Sequence, residues 1–213
     1  MAKYYPIFLN IQNKKCVVIG GGEIAWRKVC SLQDAGAKVT VVSPAFYPEL
    51  EKLPGVERIQ RKYDESFLEG AAVVIASTND EEVNKKIYYD AVKRGLLVNV
   101  VDRPEFCSFI VPATIIRGDL CVSISTGGSS PALARNIRKS LENQFGKEYD
   151  EFTRLLSEMR KWALAEISDD KVRRDILQRI AGLDMLDIVK KSGVSEAKKK
   201  MLEIVAEKTS SSK

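Results

Sequence analysis

The sequence contains no histidine. That absence excludes Ser-His-Asp and Cys-His nucleophiles, His-ligated zinc, facial-triad iron and imidazole proton shuttles near neutral pH. Any acid or base must therefore be a carboxylate, lysine, tyrosine or cysteine. Cysteine is scarce too: Cys16, Cys30, Cys107 and Cys121 stand singly with no C-x-x-C pair. Neither a zinc ribbon nor a thioredoxin-like motif is written, and no metal site is expected. So few thiols suit a reducing cytoplasm. Long apolar runs are also missing, since the longest, such as Ala71 to Ala76, fall far short of a membrane span. The opening Met-Ala-Lys-Tyr-Tyr-Pro has no signal-like apolar region. The expectation is a cytoplasmic protein that meets no membrane.

What remains is an ordinary globular composition. With 45% hydrophobic and 30% charged residues the chain should fold, and its 213 residues hold one α/β core plus a smaller appendage. Lys and Arg number 34 against 29 Asp and Glu, a net charge of +5 that favours acidic partners without demanding nucleic acid.

The pattern of elements follows from short β-branched runs alternating with helical periodicity. Lys15 to Gly22 (KCVVIGGG) reads as a strand buried on both faces that ends in glycines. A helix over Glu23 to Ala35 would turn Ile24, Val29 and Leu32 inward and Arg27 and Lys28 outward, with Gly36 closing it. Lys38 to Ser43 is a second strand, completing a βαβ unit. Val56 to Gln60, Ala71 to Ser77 and Leu96 to Val101 read as further strands, with a helix over Glu81 to Arg94 between the last two. Together these predict a Rossmann-like doubly wound parallel sheet. Ser108 to Ile116 and Asp119 to Ser125, joined by Arg117-Gly118, predict a β-hairpin outside that sheet. Helices are expected over Pro131 to Gln144, Tyr149 to Ile167, Asp170 to Ala181 and Ser195 to Lys208, and disorder over Thr209 to Lys213. The domains are read as residues 1–107, dinucleotide-binding; 108–146, hairpin and helix; and 147–213, helical.

Gly20-Gly21-Gly22-Glu23-Ile24-Ala25 fits G-x-G-x-x-A with a strand before it and a helix after it. Gly20 would make the tight turn, Gly22 would admit a pyrophosphate to the backbone, and Ala25 would allow close helix packing. The helix N-terminus presents amides to the phosphates. The bland alternative is a glycine turn that binds nothing. An acid about 20 residues on usually holds the ribose. Here Ser43, 23 residues past Gly20, takes that place, and no arginine follows it closely, which tilts the expectation toward NAD. Two more clusters should reach the same sheet edge. One is Ser77-Thr78-Asn79-Asp80, which could touch cofactor, cap the next helix, or both. The other is Asp102-Arg103-Pro104. Asp102 is a candidate general base, with an Asx-turn or an ion pair to Arg103 as the structural alternative. Ser125 to Pro131 offers hydroxyls, amides and a helix start that could meet an anion or be merely a turn and cap, followed by Arg135, Arg138 and Lys139 on one helical face.

Six ordered motifs carry a resemblance: PIFL from Pro6, VIGGGEIAWRK from Val18, ASTND from Ala76, NVVDRP from Asn99, SFIVPA from Ser108 and STGGSSPALAR from Ser125. Over about residues 4 to 146 the chain resembles the precorrin-2 dehydrogenase family, the dehydrogenase and ferrochelatase module of siroheme synthase. The resemblance implies NAD-dependent oxidation of precorrin-2 to sirohydrochlorin, with Asp102 matching the catalytic aspartate. It also implies Gly22, Glu23 and Ile24 as the cofactor turn and Ser43, Pro44 and Ala45 along the ribose, with Gly20, Ser77, Thr78, Asn79 and Val101 completing the cofactor set. Thr126, Gly127, Gly128, Ser129 and Arg135 fall on the substrate side. Thr126 stands where some relatives have a phosphorylatable serine. The family implies a homodimer joined by the hairpin and the helices after about residue 110. Some members also insert metal; the missing histidine ranks that activity below oxidation here. The chain is too short for a methyltransferase domain as well.

Two rival readings come from other classes. A non-catalytic NAD-sensing Rossmann module would bind cofactor and turn over no tetrapyrrole. A nucleic-acid binder would use Lys190-Lys191 and Lys198-Lys199-Lys200, but these interleave with acids and lack aromatic partners, so a solvated face explains them better.

Overall fold

The computed structural model describes residues 4–210 and divides into two compact units, Met1–Val111 and Pro112–Lys213. In the first, five strands, β1 (Lys15–Ile19), β2 (Lys38–Val42), β3 (Val56–Ile59), β4 (Val73–Ala76) and β5 (Leu97–Val100), form one parallel sheet in the order β3-β2-β1-β4-β5. The Val, Ile and Cys of β1 are almost wholly buried because both faces are covered. One face packs on α1 (Glu23–Asp34) and α2 (Pro48–Lys52), with Ala25, Val29, Leu32 and Leu50 in its core. The other packs on α3 (Glu81–Lys93) through Ile87 and Ala91. The chain reverses direction across the sheet between β1 and β4, the topological switch point at which such sheets bind ligands.

The expected face of α1 is corrected in detail. Ile24 is 45% exposed, and the inward stripe is Ala25, Val29 and Leu32. Lys28 is half-buried rather than outside. The reason is spacing: i, i+4 and i+7 hold one line down the helix, whereas Ile24 falls to its edge.

In the second unit β6 (Ala113–Arg117) and β7 (Leu120–Ile124) form the antiparallel hairpin, closed by a two-residue Gly118-Asp119 turn, and α4 (Pro131–Glu142) packs on it. Three further helices, α5 (Glu148–Glu166), α6 (Asp170–Ile180) and α7 (Leu183–Ser210), surround a core that includes Leu155, Met159, Ile176, Met185 and Met201. Helix α7 begins well before the expected Ser195 and breaks at Gly193, whose φ of 83° and ψ of 173° are not helical. It also carries Thr209 and Ser210, which were expected to be disordered; 211–213 lie outside the described residues.

Met201 is fully buried in this helical core. Met201→Ala should cost about 2–5 kcal/mol, read as a lower midpoint in urea with an unchanged slope.

Candidate active site at the sheet rim

The carboxyl ends of β1, β2, β4 and β5 meet at one rim, and the contacts there are set by what the glycines lack. Gly20 adopts φ of +124°, and a Cβ on it would lie 2.6 Å from the Ser77 carbonyl oxygen beyond β4. Gly21 is more crowded still. A Cβ there would run into the Ala45 carbonyl oxygen and stand 2.7 Å from Ser43 Oγ, while its own carbonyl accepts from Tyr47 N at 2.7 Å. Gly22 is the opposite case, since nothing lies within 4 Å of where its Cβ would be. It is the N-cap of α1, and no side chain caps that helix. An open space over uncapped amides at a helix start suits a phosphate in size, charge preference and donors. The residues present thus fit a dinucleotide.

The expected cofactor residues follow the carboxyl ends of β1, β2, β4 and β5. Glu23 opens α1 and pairs with Arg27, and Ile24 is exposed beside it. Ser43 is buried with its hydroxyl against the glycine turn. Pro44 and Ala45 are exposed just beyond it, and the Pro44 carbonyl accepts from Gln60 Nε2 at 3.2 Å. Ser77 N donates to Ile19 O at 2.8 Å, bracing β4 to β1. The buried amide of Asn84 locks Thr78 by giving Nδ2 to its carbonyl at 2.9 Å and accepting its hydroxyl at 2.8 Å. Asp80, rather than Thr78 or Asn79, caps α3, accepting from Glu82 N and Val83 N. Asn79 is left exposed at the tip. Val101, half-buried, donates its amide to Ala76 O at 2.9 Å.

Asp102 follows immediately, and its φ of 59° is left-handed; Asn13 is the other non-glycine residue in that region among those described. Aspartate tolerates this conformation better than most residues. The loop is held from below by Cys107, whose thiol lies 3.2 Å from the carbonyls of Val100 and Arg103 and accepts Val100 N at 3.3 Å. The alternatives for Asp102 can now be separated. Arg103 pairs with Glu81, and among the described residues the exposed Asp102 carboxylate makes no hydrogen bond or ion pair. Nothing local consumes it, so it is available to take a proton.

Sequence reasoning missed two participants. Gly21 counted only as the variable position of the motif, yet it is the most tightly approached of the three glycines. Lys28 lies close enough to Asp102 for the carboxylate to act on it: burial pushes the Lys28 pKa down, and Asp102 and then Cys107 oppose that shift. Its half-burial on a one-sided helix was the signal, hidden by its charge.

In the second unit, Thr126 to Ser130 form a compact turn. Ser130 N donates to Thr126 Oγ1 at 3.0 Å, and Ser130 Oγ caps α4 by accepting from Leu133 N. Gly127 and Gly128 have open space where a side chain would be, and Ser129 is exposed between them and the helix. Arg135 is exposed on the first turns of α4 with no ion pair among the described residues.

Residues 7–113 match the family described as "Putative NAD(P)-binding", and residues 117–144 match that of the sirohaem biosynthesis protein central segment. The chain is 40% identical to a siroheme synthase of Methylobacillus flagellatus over 199 residues, 90% of this chain and 42% of that protein. It is 44% identical to one of Ectopseudomonas mendocina over 154 residues, 72% of this chain and 33% of that protein. The chain thus spans less than half the length of the curated relatives it matches. Among solved structures, "SirC, precorrin-2 dehydrogenase" superposes with a TM-score of 0.79 at 25% identity, covering 96% of this chain and 100% of that one.

The glycine contacts predict opposite phenotypes one residue apart. Gly21→Ala should lower the unfolding midpoint and weaken NAD binding together, because backbone must move. Gly22→Ala should leave the midpoint within about 2 °C, as for an open surface site, and weaken NAD at least tenfold by calorimetry.

Proposed function

The chain belongs to the family of precorrin-2 dehydrogenase and the corresponding module of siroheme synthase, and on that premise we propose that it oxidises precorrin-2 to sirohydrochlorin with NAD. The observation that carries this reading is an uncapped, glycine-lined helix start on the same rim as an unengaged carboxylate. When bound, NAD supplies the nicotinamide carbon that takes up a hydride.

This chain's residues supply the rest. The amides of Gly22, Glu23 and Ile24 bind the pyrophosphate, with Gly20 shaping the turn. Ser43, Pro44 and Ala45 border the adenosine ribose, and Ser77, Thr78, Asn79 and Val101 border the same coenzyme. The Asp102 carboxylate removes the proton that the substrate must lose as its hydride departs. Holding that carboxylate clear of Arg103 leaves both oxygens able to accept. On the substrate side, the turn of Thr126, Gly127, Gly128 and Ser129 and the guanidinium of Arg135 meet carboxylates of the tetrapyrrole, the Gly127 and Ser129 amides being already engaged with Ser125 Oγ and Thr126 O. Four free thiols support a cytoplasmic setting.

The chain acts as a homodimer in this reading. The hairpin is backed by α4. Here Ile116 is 61% exposed on it, and Leu133 and Ile137 are 51% and 37% exposed one turn apart on α4. These apolar side chains support a second copy covering the hairpin and α4.

Two measurements test the proposal. Anaerobic incubation with precorrin-2 and NAD should give the absorbance of sirohydrochlorin. Asp102→Asn should slow it by about 10²–10⁴-fold, the usual contribution of a general base, with NAD affinity unchanged. An undiminished rate in the variant would remove Asp102 from the mechanism. Light scattering should give a dimer mass for the wild type and a monomer mass for Leu133→Asp; a wild-type monomer would refute the assembly.

A further inference from the structure

The rim at the end of β2 carries a second ligand feature, and it comes from the neighbouring strand. Register pairs Val42 with Ile59, so both strands end together. The Ile59 carbonyl then accepts two amides, Ser43 N at 3.1 Å and Arg61 N at 2.9 Å. Two bonds to one oxygen place the amides of Ser43 and Arg61 within 6.0 Å of each other. An arginine 18 positions away in sequence thus starts from the backbone beside the serine that borders the adenosine ribose. Gln60 tightens the juncture through its bond to the Pro44 carbonyl.

The charges around that point are unevenly committed. Arg58 is spent, since its guanidinium donates to the carbonyls of Leu50, Leu53 and Val56. Glu57, the acid of β3, accepts the Thr40 hydroxyl at 2.7 Å. Arg61 and Lys62 are exposed, and neither makes an ion pair among the described residues. At the ribose position itself stands Ser43, which cannot repel an anion as an aspartate or glutamate would. A site that lacks the rejecting acid and has an arginine outside any ion pair rooted in the backbone beside it is the arrangement that tolerates a ribose 2′-phosphate.

We propose that Arg61, seconded by Lys62, is a 2′-phosphate-binding cation, so that the dinucleotide site takes NADP as well as NAD. This rests on the reading of the glycine turn as the pyrophosphate cradle and extends it to the coenzyme's specificity. It adds NADP to the NAD expected from the residues directly after Ser43, because the cation arrives by strand pairing.

The test is equilibrium binding of NADH and NADPH, followed by nicotinamide fluorescence, with 2′,5′-ADP and 5′-ADP as competitors. The wild type should bind both dinucleotides within about tenfold of each other. Arg61→Ala should weaken NADPH and 2′,5′-ADP by about 10-fold or more, the size of a lost charge-assisted bond, and leave NADH and 5′-ADP within twofold. Lys62→Ala should act in the same direction and less. Added salt should weaken NADPH more than NADH. NADH binding without NADPH binding would overturn the proposal and leave the glycine turn standing, as would an Arg61→Ala variant that loses both ligands equally or neither. Failure of the wild type to bind either coenzyme would overturn the turn and this proposal together.

Discussion

The rim of the first unit depends on one close approach: the backbone of Gly21 lies where the Ala45 carbonyl would meet any side chain. Strand β1 cannot pass into α1 at that angle unless the turn is bare, and the segment after β2 cannot fold back on it otherwise. The bond from Tyr47 N to Gly21 O closes the same contact from the other side. Gly20 repeats the constraint toward Ser77. Two crowded glycines thus draw the ends of β2 and β4 onto β1, and the third is left facing open space. A ligand cradle here is the residue of packing: the room above Gly22 exists because its two predecessors have none.

The same economy governs the acid. In a chain without histidine the choice of base is narrow, and a carboxylate is useful only if neighbours do not neutralise it. The Arg103–Glu81 pair commits the cation next to Asp102 in sequence. The exposed pair contributes little to stability. What it does is leave Asp102 outside the local hydrogen-bond and ion-pair network. The left-handed turn and the Cys107 thiol beneath it hold the loop. Lys28 supplies a positive charge nearby from α1 without engaging the carboxylate in an ion pair.

Much of this was legible from the residues. Binary patterning located the five strands and α1 and α3, because buried parallel strands are continuous β-branched runs and their crossover helices repeat every three to four residues. The rim clusters at Gly20, Ser43, Ser77 and Asp102 followed from topology, since parallel strands deliver their carboxyl ends to one edge. What stayed hidden was whatever depends on contacts between distant segments. Gly21 reads as a variable position until the Ala45 carbonyl is seen beside it. Lys28 reads as solvent-facing because charge normally marks the outer face. The early start of α7 stayed hidden because Gly193, a poor helix former, breaks one helix in two. Arg61 is brought to Ser43 only by the pairing of β2 with β3.

That last case marks where pattern reading stops in doubly wound sheets. Coenzyme preference is commonly sought in the few residues after β2, because those are the neighbours sequence supplies. A parallel sheet supplies another set, since every strand beside β2 ends at the same rim. With β2 lying between β1 and β3, its terminal serine has the glycine turn on one hand and the end of β3 on the other. The glycine turn is written in consecutive residues and survives as a motif. The β3 side is written as register, in the pairing of Val42 with Ile59, and a shift of one residue there would move Arg61 away from Ser43 while leaving every motif intact.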